Sequence, residues 1–189
     1  MKKVVLSISV MLVSIVAFAQ GNESSVGQIG VANMAMVTQD GKQNESDVIQ
    51  FGALNLVQVN QDGKKNEASI WQTGALNSAI ITQEGYKNSS TTVQLLNGSK
   101  AMVNQHGEDN TSMVMQTGGF FFPSGNEAYV DQDGKDNLAL TTQSGFDNTS
   151  FIDQFGTDNS AWTTQTGSDQ ISHVNQDGHY NISIVLQSN

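Results

Sequence analysis

An eleven-residue period constrains this chain more than any other feature. Glutamine recurs at Gln28, Gln39, Gln50, Gln61, Gln72, Gln83, Gln94, Gln105 and Gln116, and after one sixteen-residue step at Gln132, Gln143, Gln154, Gln165, Gln176 and Gln187. Asparagine precedes thirteen of these fifteen glutamines by six residues, at Asn22, Asn33, Asn44, Asn55, Asn66, Asn77, Asn88, Asn110, Asn126, Asn137, Asn148, Asn159 and Asn181. Glycine follows thirteen of them by two residues, at Gly30, Gly41, Gly52, Gly63, Gly74, Gly85, Gly107, Gly118, Gly134, Gly145, Gly156, Gly167 and Gly178. A period this strict predicts a stacked, quasi-one-dimensional architecture.

Numbering each unit from its Asn, positions 1, 3, 5 and 7 are near-constant and positions 2, 4 and 6 vary. That alternation is the period-two mark of a β-strand with one fixed face. Position 3 is Ala or Ser except at Val57, and position 5 is Val, Ile or Thr throughout. Small and β-branched residues at fixed sites predict a thin, tightly packed interior between two facing sheets. The strand is expected to run about seven residues, from Asn to Gln. The next four residues, such as Asp40-Gly41-Lys42-Gln43, are read as the corner, with Gly supplying a positive φ. Leu96 and Ser99 break the pattern in one corner, where Asn97-Gly98 offers a turn dipeptide, and Gln170 replaces one Asn without a shift of register. Glycine recurring every eleven residues, β-branched alternation and the absence of a 3.6-residue stripe exclude a helical reading.

Inward-facing amides cost about 1–3 kcal/mol each if left unpaired. Stacking identical amides satisfies them, because each donates to one rung and accepts from another, as in cross-β packing. The expected fold is therefore all-β: a two-strands-per-turn, cross-β β-solenoid of about 15 strands in parallel, in-register stacking. Its outer surface repeats over twenty-two residues. The residue after Gln is Asp40, Asp62, Glu84, His106, Asp133, Phe155 and Asp177 in the even units, and Ile29, Phe51, Thr73, Leu95, Thr117, Ser144, Thr166 and Ser188 in the odd units. One sheet is thus polar and acidic outside, and the other carries an apolar stripe in its first half, the kind of surface that marks a contact. Lys42, Lys64, Lys65, Lys87 and Lys135 in the corners offset part of the carboxylate repulsion.

Residues 1–19 read as a secretory signal peptide, with Lys2 and Lys3 before an apolar run that closes on Ala17-Phe18-Ala19. The run is shorter than the ~20 residues of a membrane span, and no later stretch could cross a membrane. Residues 20–189 form the repeat domain, expected to be exported. It carries six lysines, no arginine and eighteen acids, a net charge of −12. That balance disfavours nucleic acid as a partner. Cysteine is absent, so no disulfide staples the chain. The sixteen-residue step inserts residues around 119–125, including Phe120-Phe121-Phe122-Pro123, read as a tolerated corner bulge or a docking knob. His106, His173 and His179 do not lie at metal-ligand spacing, and the Asp131–Asp136 corner lacks the late Glu of a calcium loop. No cofactor, metal site or catalytic constellation is implied.

The run Ser99-x5-Gln105-x-Gly107-x2-Asn110-x-Ser112-x3-Gln116 resembles the curlin repeat, with Ser for Ala, and Asn55 to Gln72 follows it with Asn for the leading Ser. The likeness extends from Asn22 to Gln187. It implies a curli fibre subunit, most like the major one, that polymerises outside the cell into functional amyloid with roles in biofilm matrix and adhesion. It also implies a nucleator subunit, an outer-membrane secretion pore and periplasmic accessory factors as partners. Two alternatives stand beside it: the minor nucleator of the same system, and a monomeric β-solenoid binding protein such as an adhesin or ice-binding module. The first and last units are ordinary, and open matching ends favour filaments. Because the unit count is odd, successive copies either turn by half a rotation or leave out an end strand.

Overall fold

The computed structural model describes residues 21–95, 97–118 and 125–189. The expected signal peptide, Leu96 and residues 119–124 of the insertion lie outside the described residues. The fold is an all-β solenoid of fifteen parallel strands in two facing sheets. The odd strands form the eight-stranded sheet: β1 (Glu23–Val31), β3 (Glu45–Ala53), β5 (Glu67–Ala75), β7 (Ser89–Leu95), β9 (Thr111–Thr117), β11 (Leu138–Phe146), β13 (Ser160–Ser168) and β15 (Ile182–Ser188). The even strands form the seven-stranded sheet: β2 (Met34–Lys42), β4 (Leu56–Lys64), β6 (Ser78–Tyr86), β8 (Lys100–Glu108), β10 (Glu127–Lys135), β12 (Thr149–Thr157) and β14 (Ile171–His179). Each strand pairs with the second strand along, two units away, so like sits on like. Gln28 lies opposite Gln50 and Gly30 opposite Gly52. The insertion does not disturb this register, since Gln105 still faces Gln132 and Gln116 faces Gln143.

The strands are longer and the corners tighter than the sequence suggests. Most strands span nine residues, from position 2 through the glycine to position 10. Only two residues turn the corner. One of them, the residue before the Asn, is left-handed: Ala32, Gln43, Leu54, Lys65, Leu76, Lys87, Asp109, Asp136, Asp147, Asp158, Asp169 and Tyr180 all have φ between 53° and 62°, in addition to the positive φ that the corner Gly was expected to supply. Gly98 (φ 76°) and Gly125 (φ 59°) fill the same place where the pattern breaks. None of these residues is β-branched, the side-chain class least tolerant of that region, and Asp is among the few residue types that visit it readily. Ladder bonds continue through the corners, as in Glu45 N–H to Asn66 C=O at 2.8 Å and Lys65 N–H to Lys42 C=O at 3.0 Å.

Glycine serves a different purpose two residues earlier. At Gly63 (φ 111°) a Cβ would lie 2.1 Å from the Gly85 carbonyl oxygen, and at Gly41 (φ 99°) 1.9 Å from that of Gly63. The main chain of the next rung approaches here too closely for a side chain at these glycines. Gly118 stands past the end of β9 and donates its N–H to the Leu95 carbonyl at 3.3 Å.

The interior is the stack of positions 3 and 5, including Val48, Ala68, Ile70, Ile81, Ala101, Val114, Ala128, Ala139 and Ile152, each no more than 1% exposed. Apolar burial contributes roughly 25 cal/mol per Å², and these side chains are small. The glutamines rank beside the isoleucines among the largest fully buried side chains. Hydrogen bonding therefore carries much of what fixes this core.

Candidate functional site

Positions 1 and 7 line the two margins of the interior. From Gln39 to Gln176 every Asn and Gln of the two series is buried, whereas Asn22, Gln28, Asn33, Asn181 and Gln187, at the two ends of the stack, are half-buried. The glutamines form two continuous side-chain ladders. In the eight-stranded sheet, Nε2 donates to Oε1 of the next rung from Gln28 to Gln50, Gln72, Gln94, Gln116, Gln143, Gln165 and Gln187. In the other, the ladder runs from Gln39 to Gln61, Gln83, Gln105, Gln132, Gln154 and Gln176, at 2.8–2.9 Å.

All of these bonds point the same way, and a second bond fixes the sense. Each Nε2 from Gln39 onward also donates to the main-chain carbonyl of a position-2 residue in the facing sheet, as in Gln61 to Glu45 (2.8 Å) and Gln143 to Glu127 (2.9 Å). The amide nitrogen is thereby placed toward that carbonyl and the oxygen toward the preceding rung. Glutamine thus ties successive rungs together and also ties sheet to sheet.

Asparagine works differently. Its Oδ1 accepts the main-chain N–H of the Asn one rung on, as in Asn66 N–H to Asn44 Oδ1 (3.0 Å) and Asn159 N–H to Asn137 Oδ1 (3.1 Å). Its Nδ2 donates to corner carbonyls, for example Asn44 to Asp40 (2.7 Å) and Asn148 to Gly167 (2.9 Å). Only some rungs add a side-chain-to-side-chain bond, such as Asn110 Nδ2 to Asn88 Oδ1 (3.1 Å). The Asn series is a clamp on the main chain of the corner more than an amide ladder. This explains why Ser99 is tolerated: its N–H still donates to Asn77 Oδ1 at 3.1 Å. Gln170 likewise keeps the main-chain N–H bond to Asn148 Oδ1 (3.2 Å) and the side-chain donation, from its Nε2 to the Thr166 carbonyl (3.0 Å).

Outside, the even sheet carries the acidic column. Asp131 is in register with Asp153, and its carboxyl is raised above the usual value, first by burial and then by the charges of Asp153 and Asp133. His106 Nδ1 lies 3.1 Å from Asp133 Oδ1, and that hydrogen bond holds the imidazole above its ordinary value. His173 pairs with Asp153 at 3.3 Å. Lys87–Asp109 (3.8 Å) and Lys135–Glu108 (3.5 Å) bridge the corners.

One column escaped the sequence reading. Position 4 of the even sheet stacks Tyr129 on Phe151 (centroids 4.9 Å, 8° between planes), with His173 edge-on to Phe151 at 5.8 Å. Lys100 Nζ donates to Tyr129 Oη at 2.8 Å, chiefly through which its ammonium is held above the usual value, and the phenol donates to Glu127. Reading position 4 down alternate units, as was done for position 8, brings these residues together in the sequence. Among the described residues, no group of three His, Cys, Asp or Glu could hold a metal ion. No helix among them is long and apolar enough to cross a membrane.

Fold and ladders together define a β-solenoid whose function is carried by repeated structure. The curlin-associated-repeat family model matches at residues 30–63, 54–85 and 134–167. These three curlin-associated repeats support the curlin family, and both that repeat family and the fold are structural rather than enzymatic. No curated protein and no solved structure matches over this chain.

Proposed function

We propose that the chain is a secreted subunit that polymerises end to end into extracellular, curli-like amyloid fibres serving biofilm matrix and adhesion. The observation that carries this reading is the polarity of the glutamine ladders. At one end, no rung among the described residues precedes Gln28 and Gln39, whose Oε1 atoms stand as acceptors. At the other, Gln176 and Gln187 each donate one Nε2 proton to a facing carbonyl, at 3.0 and 2.9 Å, and no rung among the described residues follows to take the second. One end accepts and the other donates, so a second copy completes both, and the contact repeats without closing. The exposed strand edges β1, β2, β14 and β15 add unpaired main-chain groups of the same complementary kind.

The regularity of the repeats supports the major subunit over a nucleator. The resemblance adds a nucleator, an outer-membrane pore and periplasmic factors as partners in export and assembly. The test is to incubate the purified chain from Gln20 onward. Fibres with a cross-β reflection near ~4.8 Å are expected, and a monomer that persists for days contradicts the proposal.

A further inference from the structure

We propose that consecutive copies in the fibre are related by a half turn about the fibre axis. In this arrangement β1 of one copy adds onto β14 of the copy before it, and Gln170 receives Asn22. This register deepens the end-to-end reading above and rests on it. Two buried amide atoms lack a hydrogen-bond partner: Gln170 Oε1, an acceptor, and Asn22 Nδ2, a donor. They lie at opposite ends of the stack, and Gln170 is only 9% exposed. The remaining buried atoms without partners are hydroxyls within the stack.

The interior shows what such atoms bind. Asn159 Oδ1 receives both the main-chain N–H of Asn181 (3.1 Å) and its Nδ2 (2.9 Å), one rung on. Asn88 Oδ1 receives the same pair of donors from Asn110, both at 3.1 Å. Gln170 Oε1 occupies the corresponding place on β14, and no described residue follows it in that column. When β1 of a second copy is laid on β14, Asn22 of that copy falls on Gln170, and its N–H and Nδ2 meet the orphaned oxygen. The same placement sets Gln28 on Gln176 and Gln39 on Gln187, so both glutamine ladders continue without a gap. It also joins the eight-stranded sheet of one copy to the seven-stranded sheet of the next, which is a half turn.

The outer surfaces distinguish this register from the unrotated one. β15 ends the eight-stranded sheet with Ile182 72% exposed and Ile184 56% exposed. The half turn lays β2 of the next copy on β15, setting Met34 on Ile182 and Met36 on Ile184, apolar against apolar. Without it, β1 lies on β15 and Glu23 stacks on Ile182. Asn22 then falls on Asn181, β14 stays uncovered, and Gln170 Oε1 keeps no partner.

The chain has no cysteine, so paired cysteines report register on a clean background. Rung neighbours lie about 4.8 Å apart, within the Cα separation a disulfide accepts. Fibres of the I182C/M34C variant, oxidised and then dissolved without reductant, are expected to yield a ladder of covalent oligomers, and those of I182C/E23C only single chains. Fibres that cross-link through I182C/E23C, or through neither pair, overturn the half turn while leaving end-to-end growth standing. Failure of the unmodified chain to form fibres overturns both. Gln170→Met, which keeps the length and removes the acceptor, is expected to raise the concentration left soluble beside fibres about tenfold. An unchanged soluble concentration contradicts the Gln170–Asn22 contact.

Discussion

At the scale of single residues, the account rests on amides that bond both their copies one rung away and main-chain carbonyls, and on glycines that let the rungs approach. Gln83 donates to Gln105 Oε1 (2.8 Å), the Glu67 carbonyl (2.8 Å) and the Asn88 carbonyl (3.1 Å), and accepts from Gln61. Gln83→Leu orphans groups on three strands, each costing about 1–3 kcal/mol. Chemical denaturation should show a loss of several kcal/mol, whereas outward Thr82→Ala should change little. Thr92 behaves oppositely. Its hydroxyl is fully buried without a partner, at a position where most units place Val or Ile. Thr92→Val therefore removes an unmet polar group at nearly constant shape and should stabilise the fold by about 1 kcal/mol. A destabilised variant would indicate a partner for that hydroxyl. Gly85→Ala brings a Cβ to 2.1 Å from the Gly107 carbonyl oxygen. The rungs there must separate, and hydrogen exchange should show protection lost at Gly85 and its neighbours first.

At the scale of the strand, the sequence makes the repeating element legible and leaves its edges less so. The constant positions 1, 3, 5 and 7 give the inward face, because burial restricts residue type where solvent does not. The corner was harder to read. Glycine is the conspicuous residue and has the positive φ expected of it, yet a second left-handed residue falls at unremarkable positions such as Leu54 and Lys65, and the close contact between rungs at Gly is invisible from one unit alone. Asp109, Asp136, Asp147, Asp158 and Asp169 were the available signal for the turn, confined to the later units. The division of labour between Asn and Gln was likewise hidden, because both are amides and only distance to the main chain separates their roles. Neighbouring strands also set the pH response of the even sheet. With its folded value raised above 3.8, Asp131 is protonated more readily when folded, so stability falls as pH rises from 3.8 through that raised value. His106, raised above 6.5 by Asp133, contributes stability that is complete below 6.5 and lost as pH climbs through its folded value. The denaturation midpoint should decline in both windows. Asp131→Asn should flatten the acid step and His106→Gln the neutral one, and a midpoint that rises with pH across these windows contradicts the assignment.

At the scale of the whole molecule, the glutamine ladders run in one direction through the described strands, and in the proposed fibre the element that builds the fold would also build the assembly. The acidic balance of the repeat domain, −12 from six lysines and eighteen acids, opposes stacking of like copies. Added salt screens that repulsion over about a Debye length, and elongation at 0.15 M salt should outpace that at 0.01 M; the reverse order would mean that charge does not limit addition. The apolar stripe of Ile29, Phe51, Trp71, Leu95 and Met115 runs along the side of the eight-stranded sheet and, in the proposed fibre, would face neighbouring fibres rather than the ends. Mass per unit length tests the central claim most directly. Fifteen strands at two per turn and ~4.8 Å per turn give one chain for every ~36 Å of a single filament. Scanning transmission electron microscopy of unbundled filaments should return that value. One chain per ~4.8 Å, as when chains lie flat and stack across the axis, would contradict end-to-end continuation of the ladders.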